Sequence, residues 1–282
     1  MRTWTLVILL AGLTGCATAR PAGPPAFTGE LDATAVDLAT PSGTWRSTQV
    51  VLDNAIAHLD RHCMAARGFD YPVRTTPLPP SPEDETAIID LPGRRTRGYR
   101  PEPSTPDTSP GSRPPGYQAA LFGPPGTDVP TGIAGGYTVK GQGCEADSRR
   151  ALVGDVVLWA RLTYVPEQVN DRLTAQATSA PGYLSAMAGW RECVAARGFP
   201  FQTPDDARHS FGQETGTAAV SQREISVAVA DGECAMREHL PLVALRAERD
   251  LVASLPDADR KLLYELAAYR AAAVERAQTV VP

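Results

Sequence analysis

Lysine is almost missing from this chain of 282 residues: of 27 basic side chains only Lys140 and Lys261 are lysine, and the other 25 are arginine. That bias is a trait of GC-rich codon usage, not of mechanism. The arginines form no continuous basic stripe and the formal net charge is −5, so nucleic acid is not an expected partner. Beyond residue 13 no segment is apolar enough to cross a bilayer, which takes about 20 residues. There is no Gly-x-Ser-x-Gly elbow, no P-loop and no Gly-x-Gly-x-x-Gly after a strand, so the familiar serine hydrolase, nucleotide and dinucleotide sites have no sequence support. No Cys-x-x-Cys occurs either. No cofactor is expected.

What is present begins with Met1-Arg2 and an apolar run from Trp4 to Leu13, followed by Leu13-Thr14-Gly15-Cys16. The run is too short to span comfortably and has the order of a bacterial lipoprotein signal: a positive residue, an apolar stretch, small residues, then a cysteine. The expected organisation is a signal peptide over 1–15 and lipidation of Cys16, with the mature chain held at the cell membrane on its extracytoplasmic face. Two or more acyl chains anchor stably where one is marginal. Ala17-Thr18-Ala19 would also permit an ordinary secretory cut. The remaining 265 or so residues can bury one large core or two smaller ones.

With Cys16 set aside, four cysteines remain: Cys63, Cys144, Cys193 and Cys234. An even number in an exported chain reads as disulfides, and four cysteines allow three pairings. A repeat chooses among them. Cys63-Met-Ala-Ala-Arg-Gly-Phe69 returns as Cys193-Val-Ala-Ala-Arg-Gly-Phe199, and Cys144 and Cys234 are each followed 22 residues later by a proline, Pro166 and Pro256. Each half then reads as helix, Cys-x-x-x-Arg-Gly-Phe, loop, second cysteine, long helix, proline, further helix. Pairing inside each half, Cys63 with Cys144 and Cys193 with Cys234, follows. The expected fold is mainly α: unit 1 over 44–178, unit 2 over 179–282, each with one disulfide.

The repeated heptapeptide is itself a helix stop. Leu52, Ile56, Leu59 and Cys63 share one helical face. Gly68 and Gly198 stand where a helix ends in the left-handed region, and Phe69 and Phe199 where a Schellman cap makes its apolar contact. Arg67 and Arg197 sit where a cation suits the helix dipole. Ser221-Gln-Arg-Glu224 is a capping-box pattern opening a helix through Ile225, Ala228, Val229 and Cys234. Leu152, Val156 and Trp159 share a face after Cys144, and Leu262, Leu266, Tyr269 and Ala273 do so after Pro256. Pro241 breaks the parallel between the halves and predicts a kink or restart.

Two segments read as irregular. Residues 16–43 are rich in Pro, Gly, Ala and Thr and are expected to be a flexible tether, reaching roughly 80 Å if extended. Residues 72–130 hold 15 of the 26 prolines and are expected to form a long loop, on which Tyr99, Tyr117, Leu121 and Phe122 could pack back.

In order along the chain, Cys63–Tyr71, Arg97-Gly-Tyr99, Tyr117–Gly123, Gly141–Ala146 with Arg149–Leu152 behind it, Trp190–Cys193 through Phe199, and Glu224–Asp231 ahead of Cys234 resemble a group of uncharacterised exported lipoproteins of actinobacteria. The likeness spans almost the whole mature chain, through short pieces. One departure is Val194, where methionine would be usual after the cysteine. The resemblance implies an envelope location and disulfide-type cysteines, and implies no activity.

Candidate chemistry is sparse. His58 and His62 share a helix face beside Cys63, but a zincin would carry Glu directly after the first His, and Leu59 stands there; they are weak metal candidates. Cys144 at a helix start would have a depressed thiol pKa if free, which is the thiol-redox reading. Glu145 and Asp231 are the carboxylates a cell-wall hydrolase or transferase would use. Asp205-Asp206 after Pro204 reads as a helix start. Glu83-Asp84-Glu85 and Arg94-Arg95-Thr96-Arg97 share the long loop and could pair with each other or with envelope polymers. Trp159 and Trp190 read as core. The expected function is a non-catalytic binding, sensing or scaffold module acting on an envelope protein or wall component, through a groove between the halves or through the Pro-rich loop.

Overall fold

The computed structural model describes residues 26–101, 113–211 and 220–280. The chain is mainly helical. It opens with α1 (Ala33–Ala39) and α2 (Trp45–Ala66), then α3 (Glu85–Ile89), α4 (Leu91–Arg97) and α5 (Tyr117–Phe122). A two-stranded antiparallel hairpin of β1 (Asp128–Pro130) and β2 (Thr138–Lys140) follows, with Val129 opposite Val139. The rest is α6 (Cys144–Val153), α7 (Val156–Ala177), α8 (Pro181–Ala196), α9 (Pro204–His209), α10 (Gln222–Arg237), α11 (Leu240–Val252) and α12 (Asp257–Gln278).

The repeated motif ends α2 and α8 in the same way. Phe69 N–H donates to Met64 O (2.9 Å) and Gly68 N–H to Ala65 O (3.0 Å); Phe199 N–H donates to Val194 O (3.0 Å) and Gly198 N–H to Ala195 O (2.9 Å). These are the paired bonds of a Schellman cap. They require φ of +81° at Gly68 and +85° at Gly198, where any Cβ would be strained. Phe69 packs in one cluster with Met64, and Phe199 in another with Val194.

Both within-half disulfides form, Cys63–Cys144 and Cys193–Cys234, with Cα separations of 5.5 and 5.7 Å. Beyond them the halves diverge. Cys144 is the first residue of α6, capped by Gly143, whereas Cys234 lies in the last turn of α10. Pro166 does not end a helix but lies buried inside α7. The break falls earlier, at Gly154-Asp155, where Gly154 is left-handed and the Asp155 side chain accepts from Val157 N–H at 2.8 Å. In the second half Pro256 does precede α12, and at Pro241 the chain restarts as α11 behind His239, a left-handed residue with φ +52°.

The expected tether is only partly outside the body. Residues 1–25, Cys16 among them, lie outside the described residues, but α1 belongs to the core. Ala35, Leu38 and Ala39 are almost wholly buried, because α1 packs on α12 and α7. Asp32 caps α1, accepting from Ala35 N–H at 2.9 Å. The buried Asp37 carboxylate accepts from Arg249 Nη1 of α11 (2.8 Å) and from Thr44 N–H (3.0 Å). A flexible assignment over 33–43 missed this, because an Ala- and Thr-rich stretch looks like linker until a partner face is supplied.

The boundary at 178/179 is crossed in both directions. The largest core joins Leu38, Leu52, Leu152 and Leu162 of the first half with Leu266, Ala267 and Ala273 of α12. A neighbouring cluster joins Ala39, Val169 and Leu173 to Val252, Leu255 and Leu263. In the other direction, α3 and α4 leave the first half and lie on α10. Gly232 makes that approach possible: a methyl there would stand 2.8 Å from Leu91 Cδ2 and 2.9 Å from Ile89 Cγ2. The long segment 72–130 is therefore not one loop. Besides α3 and α4 it contributes α5, whose Tyr117 and Leu121 cover the Cys63–Cys144 disulfide together with Met64, and strand β1.

Candidate functional site

The sequence candidates separate into structural parts and one groove. At each disulfide the repeated arginine reaches across to the partner segments. Arg67 donates to Ala120 O (2.7 Å) and pairs with Asp147 (3.1 Å). Arg197 donates to Ala230 O (3.0 Å) and to Cys234 Sγ (3.1 Å), and pairs with Glu233 (3.2 Å). A second buried polar bond sits one turn before each first cysteine. Asp60 accepts from Ser148 Oγ at 2.5 Å, and Trp190 Nε1 donates to Asp231 Oδ1 at 3.0 Å. Burial raises the Asp60 carboxyl above its usual range, against the opposing hydrogen bond from Ser148 and the charge of Arg149.

Asp231 and Glu145 do not form a shared acid pair. Asp231 is buried and held by Arg94 Nη1 (2.5 Å) and Trp190. Glu145 pairs with Arg149 one turn on, at 3.1 Å, and that guanidinium lies 5.9 Å from the Trp159 ring. Trp190 is fully buried; Trp159 is partly buried at the edge of the largest core. His62 is exposed and His58 half-buried, and among the described residues no group of three or more His, Cys, Asp or Glu side chains could hold a metal ion. Asp205 and Asp206 form the first turn of α9, capped by Thr203, which accepts from Asp206 N–H at 3.0 Å.

The loop charges do pair, but hardly with each other. Asp84 caps α3, and Glu85 meets His239 Nδ1 at 2.7 Å. Glu83 accepts from Gly43 N–H and Ser81 Oγ; burial alone would raise its pKa, but these bonds and Arg249 outweigh it and lower the group. Arg94 and Arg95 reach Asp231 and Glu233 of α10 (2.5 and 3.6 Å), while Arg97 pairs with Asp90 at 2.8 Å. Ser221 caps α10 by accepting from Glu224 N–H at 3.0 Å, and the buried Glu224 carboxylate takes Tyr99 N–H at 3.2 Å at the end of α4. Tyr99 lies between Arg94 and Arg208, 5.5 and 5.9 Å from its ring centroid; burial first, and then the Asp231 carboxylate, push its phenol upward. Arg94, Arg97, Tyr99 and Arg208 line a recess of about 400 Å³, yet Arg94 and Arg97 already hold carboxylates.

The larger concavity, about 830 Å³, lies where the halves meet, within the usual range of ligand sites. Three elements wall it. One face of α7 supplies Arg161, Val165, Gln168 and Arg172 at successive helical spacings. The hairpin loop supplies Thr131 to Gly135, and α12 supplies Asp259 and Leu262. Gln168 Nε2 donates to Ala134 O (2.8 Å) and fixes the loop against the helix, and Arg172 pairs with Asp259 at 2.7 Å across the groove. Tyr137 stacks on Tyr164 beside it, ring centroids 4.6 Å apart and 21° from parallel, with Tyr137 still 38% exposed. Of the charged groups in the groove, Arg161 and Asp171 have no hydrogen-bond or ion-pair partner among the described residues. The sequence places a groove between the halves but, of its lining, marks only Leu262, as part of an apolar face, and none of the charged side chains, because the stripe on α7 becomes a wall only when the hairpin and α12 close around it.

No protein-family model, no curated protein and no solved structure matches this chain. Among the described residues, no helix is long and apolar enough to cross a membrane.

Proposed function

We propose that the protein is a membrane-anchored extracytoplasmic lipoprotein, a binding, sensing or scaffold module of the cell envelope, and that the groove between α7, α12 and the hairpin loop is its contact surface. Lipid on Cys16 would hold it to the membrane. The observation that carries the reading is the groove itself: an open concavity with mixed polar and apolar walls and an arginine that has no partner among the described residues, on a body held by two disulfides. Disulfides suit an exported chain, and the signal-like N-terminus and the resemblance to exported actinobacterial lipoproteins point the same way. The hydrolase or transferase alternative would draw on Glu145 of α6 and Asp231 of α10, but each is occupied by an arginine, Arg149 and Arg94 respectively.

The test has two parts. Non-reducing peptide mapping of protein extracted from its own membrane should find diacylglycerol on Cys16. A photo-crosslinker at position 165 of the full chain in intact envelopes should capture an envelope component, and one at exposed position 223 should not. Unmodified Cys16, or equal capture at both positions, would sink the proposal.

A further inference from the structure

We infer that the groove takes an acidic oligosaccharide, with a sugar carboxylate on Arg161, a ring face against the Tyr137–Tyr164 stack and hydroxyls toward Asp171. This rests on the groove being the contact surface and gives its ligand a chemical class. Arg161 is exposed and, among the described residues, unpaired, so its fork of donors is free for a planar carboxylate. Arg172, three turns along the same face, is already paired with Asp259, so the anion has one place to sit. The N–H groups of Gly132, Ala134 and Gly135 donate to no described residue, which gives the opposite wall neutral donors. Asp171 and the Gln168 carbonyl oxygen are acceptors, and hydroxyl groups are the donors that suit them.

Two features favour a saccharide over a peptide. The exposed aromatic next to the hairpin-loop lining, Tyr137, is stacked on Tyr164 rather than set in an apolar socket, so what it offers a ligand is exposed ring surface and not a pocket for a side chain. The apolar side chains of the walls, Ile133, Ala134, Val165, Val169 and Leu262, are interleaved with polar and charged ones, whereas peptide grooves usually offer pockets for side-chain anchors or a strand edge. Along α7 the lining from Arg161 to Arg172 runs about 16 Å, at 1.5 Å per residue, which suits an oligomer better than one small molecule.

The experiment is calorimetric titration of the full-length protein in detergent with a trigalacturonate. Its methyl ester serves as the uncharged control and an acidic hexapeptide as the competing class. The acid should bind, and the ester should bind at least tenfold more weakly. Arg161→Gln should lose the same factor and Arg161→Lys should recover part of it. Tyr137→Ala should weaken acid and ester alike, and Arg223→Gln, at another exposed arginine, should change nothing. Absence of binding, equal binding of acid and ester, or an unchanged Arg161→Gln overturns the inference. Preference for the peptide overturns the saccharide class. If position 165 still captures an envelope component in any of these cases, only this inference fails and the groove remains the contact surface.

Discussion

Replacing Arg94 with methionine tests how the two halves are locked. The aliphatic stem is kept and the guanidinium removed. Three bonds disappear: Nη1 to Asp231 Oδ2 (2.5 Å), Nη1 to Ala228 O (2.9 Å) and Nε to Ile89 O (2.8 Å). Asp231, with a side chain only 3% exposed, would be left as a buried carboxylate with Trp190 as its remaining donor. Stripping one partner from a buried pair costs about 3–5 kcal/mol. The Arg94 side chain is 17% exposed, so some water reaches the site and the low end, about 3 kcal/mol, is expected. That is a fifth or more of a typical total stability of about 5–15 kcal/mol. Urea unfolding with the disulfides intact would measure it, with the Trp190 environment as one optical signal. Asp231→Asn and the double variant complete a cycle, in which removal of the stranded charge should recover about 2 kcal/mol. A loss below about 1 kcal/mol for Arg94→Met, or strict additivity, would refute the view that this pair fastens α4 to α10.

Leu38→Ala should cost about 2–4 kcal/mol by cavity formation, read by the same unfolding; a tether residue would cost nothing measurable. Asp60→Asn should stabilise the protein at pH 7, since Asn still accepts from Ser148 while the desolvated charge is gone. The sign follows from the raised native pKa: the folded state holds the proton more tightly, so the wild-type penalty is present at neutral pH. It is relieved as pH falls through the native value toward 3.8, and the two melting curves should converge there. Mild reductant should open Cys63–Cys144 before Cys193–Cys234, because Cys63 is partly exposed while Cys193, Cys144 and Cys234 are buried; timed alkylation with peptide mapping reads the order, and the reverse order would count against access as the control. Each opened bridge should lower stability by about 4 kcal/mol, on loop-closure arguments.

The residues around Cys63 and Cys193 were legible in the sequence because a Schellman cap is local. The left-handed glycine and the following phenylalanine lie within six residues of the carbonyls they satisfy, so no distant partner is needed to predict them, whereas the arginine side chain before them reaches distant carbonyls, Ala120 O and Ala230 O. The within-half disulfides were legible for a related reason: the repeat set which cysteine went with which. Capping by Ser221 could also be read from four letters, although the buried Glu224 carboxylate completes no box and reaches α4 instead.

What the tertiary structure alone decided is where each apolar face goes. A helical stripe states that one side is buried, not against what. Nothing in residues 33–39 announces that Arg249, more than 200 positions away, will take Asp37. The Pro-rich stretch likewise hides α4, because seven residues beginning Leu-Pro-Gly show no period until Gly232 leaves room for them on α10. The groove is of the same kind: Arg161, Val165, Gln168 and Arg172 are evenly spaced along α7, and the hairpin loop and α12 make a site of them. Local chemistry fixed the caps, and the repeat fixed the pairing of the crosslinks. Long-range packing fixed the interlocked halves, since burial free energy depends on the complementary face and that face lies elsewhere in the chain.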